Sequence, residues 1–433
     1  MKNSIERGYF MDILELFAGV GGFRLGLEKS SKKFFKTKWA NQWEPSKKAQ
    51  DAFEIYNFHY HGKSENLNLN IEEISNDDFK NMKADIIVGG FPCQDYSVAK
   101  SKVYEKGIEG KKGILFWQII RATKIIKPTY LILENVDRLL KSPSIQKGRD
   151  FSIMLKSFDK LGYSVEWRII NAADYGEAQK RKRVFLFIYK NESKFGIEMD
   201  LKYSKNQFFD NNNLNQYIFF DGLFARQLKV ENNITKNRRL FNTLPKNIID
   251  ISDSFSSKFW NSGIMRYGKF ITIDTIPDNI EVSKKRNLKS ILQLEKEIDF
   301  KYIITNKDII KKFEYLRSSK KEERETKEGH KWIYSEGAMS LYDDVNLPAR
   351  TMLTSEGTVN RSSHFLKIKN KYRFLTPIEA ERLNNFPDNW TKYKLQKGEK
   401  IEVSDRMRYF CMGNALVVNI IKRIGDEIQK IDK

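Results

Sequence analysis

Cysteine is nearly missing from this chain: 433 residues hold two, Cys93 and Cys411. Neither has a cysteine close by to form a paired metal-ligand motif, and two thiols cannot make a disulfide framework, so free thiols in a reducing compartment are expected and no metal is. Long apolar runs are also missing. Nothing approaches the roughly 18 consecutive apolar residues of a membrane span, and the opening "MKNSIERGYFMDILELF" lacks the apolar core and small-residue cleavage site of a signal peptide. The expected location is the cytoplasm, without a membrane partner. Acidic charge is in short supply: 56 Asp and Glu face 77 Lys and Arg, a formal net charge of +21. That surplus, with 13% aromatic residues, points to a polyanionic partner whose bases can be stacked upon. A Lys- and Asn-rich composition of genomic origin explains the same numbers.

What is present is a core-forming chain, 40% hydrophobic, with a clear change of texture along its length. From Met11 to Lys190 short β-rich runs alternate with longer amphipathic stretches: "DILELF", "KWANQW", "ADIIVGGF", "YLILENV", "VEWRIINA" and "RVFLFIY". This alternation predicts a doubly wound α/β sheet. Regularity fades between about Glu192 and Asn346, where "DNNNLNQ" and "SSKKEERETKEGHK" interrupt aromatic segments. The tail, with "TPIEAERLNNF" and "RMRYFCMGNALVVNIIKRI", has the apolar spacing of a closing helix that returns to the first domain. The expected organisation is therefore 1–191 as the first domain, 192–346 as a smaller irregular one, and 347–433 as a hinge and returning segment.

Chemistry-bearing residues gather at the ends of the expected strands, where open α/β sheets place ligands. "FAGVGG" puts glycines in a turn opening a helix, suited to close approach by a ligand or to a tight turn with no ligand. Its glycine order is not that of a dinucleotide fingerprint, which argues against a nicotinamide dehydrogenase. "GGFPCQ" sets Cys93 behind Pro92 at a strand end, as a nucleophile or a buried structural thiol. "LENV" brings Glu134 out of an apolar strand, where burial can raise its pKa, or where it caps a helix or pairs with a cation. "AQKRKRVFLFIY" crowds Lys180, Arg181, Lys182 and Arg183 before a strand; alternation sends two each way. Cys411 falls in an apolar helix and reads as structural.

Taken in order, Phe-Ala-Gly-x-Gly-Gly, Pro-Cys-Gln, Glu-Asn-Val, Gln-x-Arg-x-Arg, an irregular region and Gly-Asn-Ala resemble the motif set of cytosine-5 DNA methyltransferases, from about Met11 to Ile424. The resemblance implies a Rossmann-like S-adenosylmethionine-dependent methyltransferase core with a target recognition domain over 192–346. It implies methyl transfer to C5 of a cytosine flipped out of double-stranded DNA, through a covalent bond from Cys93 to C6. Glu134 then supplies a proton at N3, while Arg183 and Arg181 hold O2 and brace the site. The base that removes the C5 proton is not named by the sequence.

For the cofactor, the resemblance implies Phe17, Ala18, Gly19, Val20, Gly21 and Gly22 around its amino-acid part and adenine, with Pro92, Asn414 and Ala415 completing the pocket. Two positions depart from the family pattern. Gln42 stands where an acidic ribose partner is usual, with Trp43 beside adenine and Glu44 as a substitute. Asn70 replaces an aspartate expected to accept from the adenine amino group, with Ile71 next to it. The lysine-rich "SVAKSKVYEKGIEGKKG" corresponds to a loop that closes over flipped DNA. The irregular region offers "SSKFWNSGIMRYGKF" and "YLRSSKKEERETKEGHKWIYSEGAMS" as candidates for reading bases; with "GGFPCQDYSVA", "ENVDRLLKSPS" and "PARTMLTSEGTVNRSSHF", its stretches look like those of bacterial enzymes that modify GATC. The implied setting is a restriction-modification system in a bacterial cytoplasm. There the chain acts as a monomer on DNA, and a cognate endonuclease need not touch it. A tRNA cytosine-5 methyltransferase shares the catalytic set but has a shorter irregular region; a silent nucleic-acid-binding homologue would have lost Cys or Glu.

Overall fold

The computed structural model describes residues 10–45, 48–92, 115–203, 208–209, 211–232, 238–278, 285–325, 329 and 331–432. Cys93, Gln94 and the lysine-rich loop after them lie outside the described residues. At the centre is a ten-stranded sheet in the order β3-β2-β1-β4-β5-β7-β6-β9-β10-β8. Five strands are parallel: β1 (Met11–Leu16), β2 (Phe35–Asn41), β3 (Glu65–Leu67), β4 (Ile86–Gly90) and β5 (Tyr130–Asn135). Beyond β5 every pairing is antiparallel, through β7 (Lys182–Lys190), β6 (Tyr163–Asn171), β9 (Ser262–Arg266), β10 (Lys269–Ile273) and β8 (Arg239–Thr243). All six strands expected from the sequence are present.

Two-residue alternation divides each central strand between two cores. Ile13, Ile86, Val88, Tyr130 and Ile132 enter one cluster, and Leu14, Leu16, Ile87, Leu131 and Leu133 the other. The sheet is thus buried on both sides, which its nearly continuous apolar runs require. The order reverses between β1 and β4, and at such a switch point the carboxyl ends of the strands open a crevice. The glycine turn after β1 and Pro92 after β4 flank it.

Residues 239–273 fall inside the stretch expected to be irregular, yet they add three strands to the main sheet. The reason is local: "SGIMR" and "KFITI" flank the turn Tyr267-Gly268, where both residues have positive φ, and the hairpin docks on β6. Gly263 permits that docking, since a Cβ there would lie 2.1 Å from the Trp167 ring. Outside the sheet stand the three-stranded β11 (Ile303–Ile304), β14 (Leu366–Ile368) and β15 (Lys371–Arg373), and the exposed hairpin β12 (Lys320–Glu325) with β13 (Lys331–Glu336).

The expected closing helix is two helices, Asp405–Asn414 and Val418–Ile431, separated by extended backbone at Ala415 and Val417. Asn384 causes the break: its side-chain amide donates to the Met412 carbonyl at 2.9 Å and its own carbonyl accepts from Val418 N at 3.0 Å. The last helix lies on the first, α1 (Gly22–Ser31), whose Gly26 is so close that a Cβ would sit 2.5 Å from Ile421 Cβ. The return to the first domain is therefore a tight helix contact.

Candidate active site

Glu134 is the next-to-last residue of β5 and pairs in register with Gly90, the last of β4. A Cβ at Gly90 would lie 3.1 Å from Glu134 Oε2, so the carboxylate leans over the strand that leads to Pro92. Its other oxygen meets Arg183 Nε at 2.8 Å, with 13% of the Glu134 side chain and 18% of Arg183 exposed. Burial raises the Glu134 pKa; the Arg183 and Arg181 charges pull it back, and the net direction is upward. A carboxyl poised in this way holds a proton more readily than an ordinary glutamate and can give it to a base. Asn135 fixes the turn, donating to the Phe91 carbonyl at 2.9 Å.

Arg181 lies just before β7 and Arg183 is its second residue, two apart, while Lys180 and Lys182 are exposed. Their partners differ. Arg183 is bound to Glu134, whereas Arg181 is buried and donates to the carbonyls of Gly413 at 2.9 Å and Met352 at 3.5 Å. Arg181 therefore braces the closing segment. Gln179 was not assigned a role from sequence, although it stands two residues before Arg181 on the same alternation. Fully buried, it accepts from Met352 N at 3.0 Å and donates to Asn384 Oδ1 at 3.1 Å.

The glycine turn is strained as a ligand cradle is: Phe17, Gly19 and Gly21 all have positive φ. Ala18 N donates to the Asn41 carbonyl at 3.0 Å and Gly19 N to Gln42 Oε1 at 2.8 Å. Gln42 thus holds the loop through its amide oxygen. A Cβ at Gly19 would meet nothing within 4 Å, so the turn is open above that residue, whereas Gly21 is packed against Tyr60 and Tyr56 at 3.0 and 3.3 Å. Trp43 and Glu44 are half-buried beyond β2, and Glu44 is locked by Gln50, which accepts from its N–H and donates to its carbonyl. Asn70 is half-buried and accepts from Glu72 N at 3.2 Å, while Ile71 is a core residue. Pro92 and Asn414 are exposed, and Ala415 half-buried. A turn left open above Gly19, with polar Gln42 and Asn70 near the neighbouring strand ends, fits a small polar ligand such as S-adenosylmethionine. Cys411 is buried.

A family model for C-5 cytosine-specific DNA methylase matches residues 11–430, nearly the whole described chain. The chain belongs to that family. It is 53% identical over 97% of its length to the type II methyltransferase M.Sau3AI of Staphylococcus aureus, covering 96% of that protein. It is 32% identical to the type II methyltransferase M.HhaI of Haemophilus parahaemolyticus over 41% of this chain and 49% of that one. Among solved structures, the methyltransferase Dnmt2 of S. pombe aligns over 98% of this chain and 99% of its own with a TM-score of 0.58, at 14% identity, a likeness of fold. The protein is a DNA (cytosine-5)-methyltransferase of the type II restriction-modification kind, with S-adenosylmethionine as methyl donor and DNA as substrate. Among the described residues no helix is long and apolar enough to cross a membrane.

Proposed function

We propose that this methyltransferase acts through Cys93, Glu134, Arg181 and Arg183 on a cytosine turned out of GATC. The observation that carries the chemistry is the Glu134–Arg183 pair at 2.8 Å beside the strand leading to Pro92 and Cys93. Cytosine C5 is a poor nucleophile. Attack of the Cys93 thiolate on C6 sends the ring electrons toward C5 and N3, and a proton from Glu134 at N3 keeps negative charge from building up there. Arg183 holds O2 and, through its ion pair, fixes the Glu134 carboxyl, while Arg181 braces the site from beneath. When bound, S-adenosylmethionine supplies an electrophilic methyl group. Phe17 to Gly22, Trp43, Ile71, Pro92, Asn414 and Ala415 line its place; Gln42, whose oxygen already accepts from Gly19 N, and Glu44 are the two candidates for the ribose, and Asn70 meets the adenine. Loss of the C5 proton to a base then returns the thiolate.

Target reading is assigned to the part of 192–346 outside the sheet together with 347–373. The segment Thr351–Ser363 supports this, because it is pinned at both ends. At the catalytic end Thr351 donates to the Lys180 carbonyl, and a Cβ at Gly413 would lie 2.4 Å from Thr354 N. At the other, Arg317 and Arg350 converge on Asp343 and the Ser363 carbonyl. Between them Leu353, Thr354, Ser355 and Thr358 are exposed. Side chains held this way can reach base edges in a major groove. A bacterial cytoplasm, action as a monomer and a cognate endonuclease without physical contact complete the reading. Bisulfite sequencing of duplexes incubated with enzyme and S-adenosylmethionine tests it. GATC cytosines should resist conversion. Protection of another short site would refute the target and leave the chemistry intact; no protection anywhere would refute both.

A further inference from the structure

The glycine turn is held from three directions, and the third comes from the far end of the chain. Two bonds, from Ala18 N and Gly19 N, go to residues 41 and 42, next door in the sheet. The third is donated by the Trp390 indole Nε1 to the Val20 carbonyl at 2.8 Å, across 370 residues of sequence.

Trp390 is built into place. The residues on either side of it both donate to the buried carboxylate of Glu381, Asn389 N at 2.6 Å and Thr391 N at 2.9 Å, and Arg408 holds that carboxylate at 2.9 Å. The indole lies flat on His59, with ring centroids 3.6 Å apart and planes within 7°. His59 Nε2 is 2.7 Å from the Trp390 carbonyl, and a carbonyl only accepts, so the ring carries its proton on Nε2. Burial lowers the His59 pKa, which keeps the ring neutral at neutral pH. Phe386, from the same turn, would touch a Cβ at Gly22 at 3.4 Å. A rigid turn thus presents one N–H to one loop carbonyl and supports the ring that makes the bond.

Val20 sits between the two left-handed glycines, and its peptide with Gly21 is held on both edges, the Gly21 N–H donating to the Ala18 carbonyl at 2.9 Å within the turn and the Val20 carbonyl accepting from Trp390 outside it. We propose that Trp390 is a positioning residue for the methyl donor: by gripping the Val20 carbonyl it holds the glycine turn in its binding shape. The proposal rests on the reading of that turn as the cofactor cradle. It places a determinant of cofactor affinity in the returning segment, outside every residue assigned to the pocket.

The test is Trp390→Phe, which keeps an aromatic face for His59 and removes the donor. Steady-state methylation should show the KM for S-adenosylmethionine raised about 3- to 10-fold, the range one hydrogen bond supports, with kcat and the KM for DNA within about twofold. Calorimetric titration with S-adenosylhomocysteine should show the same loss. A lowered melting temperature with an unchanged cofactor KM would mean a merely structural tryptophan and overturn the proposal. Should the variant not fold, His59→Leu decides by the same readouts, since it removes the stacking and the bond to the Trp390 carbonyl; an unchanged cofactor KM there overturns it too. Gly19→Val separates the underlying reading: it fills the open side of the turn and should abolish S-adenosylhomocysteine binding. If it does not, the cradle assignment fails and the proposal with it.

Discussion

Removing the Arg183 guanidinium should do two separable things. If Arg183 holds O2 as proposed, the Arg183→Ala variant loses a charge-stabilising donor, a change that costs about 100-fold or more in rate in comparable sites. It also strips Glu134 of its contact cation at 2.8 Å. A cation at such range favours the charged carboxylate and so lowers its pKa. Burial already drives the Glu134 pKa upward, so without Arg183 it must climb further. A proton donor works below its own pKa, so the wild-type rate should fall on the alkaline side as Glu134 loses its proton. In the variant the plateau drops while that alkaline limb moves to higher pH. The assay is single-turnover transfer of a labelled methyl group into duplex DNA between about pH 5 and 9, within the range where pH–rate limbs report such groups. Arg183→Lys, which keeps a charge but not the planar donor, should return the limb toward its original place with only part of the rate. A lower plateau with an unmoved limb would refute the coupling of Arg183 to Glu134.

Three further outcomes are expected. Cys93→Ser should abolish methyl transfer while gel-shift binding of DNA and calorimetric binding of S-adenosylhomocysteine persist, because a hydroxyl is a far weaker nucleophile near neutral pH; turnover near wild type would reject the nucleophile. Glu15 is buried, accepts from Tyr56 Oη at 3.0 Å and Arg24 N at 3.3 Å, and burial foremost raises its pKa to about 7. Its folded pKa lies above the unfolded one, so the stability it contributes is complete at about pH 4 and is lost as pH rises through about 7. Glu15→Gln should remove about 3 kcal/mol of that pH dependence in urea melts, and parallel wild-type and variant curves would contradict it. Gly26→Ala places a methyl against Ile421 Cβ and should destabilise the protein by about 1–3 kcal/mol, read as a lower melting temperature.

The central strands could be read from sequence because they are buried on both faces, and nothing but β-rich apolar runs such as "YLILEN" satisfies that. Glu134 and Arg183 stood out through the Glu-Asn-Val and Gln-x-Arg-x-Arg motifs, but their pairing at 2.8 Å was not legible, since it joins two strands neighbouring only in the sheet. The hairpin over 262–273 was not, because its place in the main sheet depends on Gly263 yielding room to Trp167, a contact between distant residues. Gln179 stands in the Gln-x-Arg-x-Arg motif, but its bracing role was not legible, since its partners Met352 and Asn384 are far away in sequence. The break after Asn414 is likewise imposed by Asn384, against a local pattern that favours a continuous helix.

The contact of the last helix with the first bears on how the enzyme is made. Gly26 meets Ile421, and Val20 is gripped by Trp390, so the turn after β1 and the helix that follows it wait for partners made some 370 or more residues later. At about 5–20 residues per second, some 20 to 80 seconds separate the two during synthesis. Until then the early strands have a sheet to join but the cradle stays unbraced. A product cut short before Trp390 would keep the Glu134–Arg183 pair and lack the bond to the Val20 carbonyl.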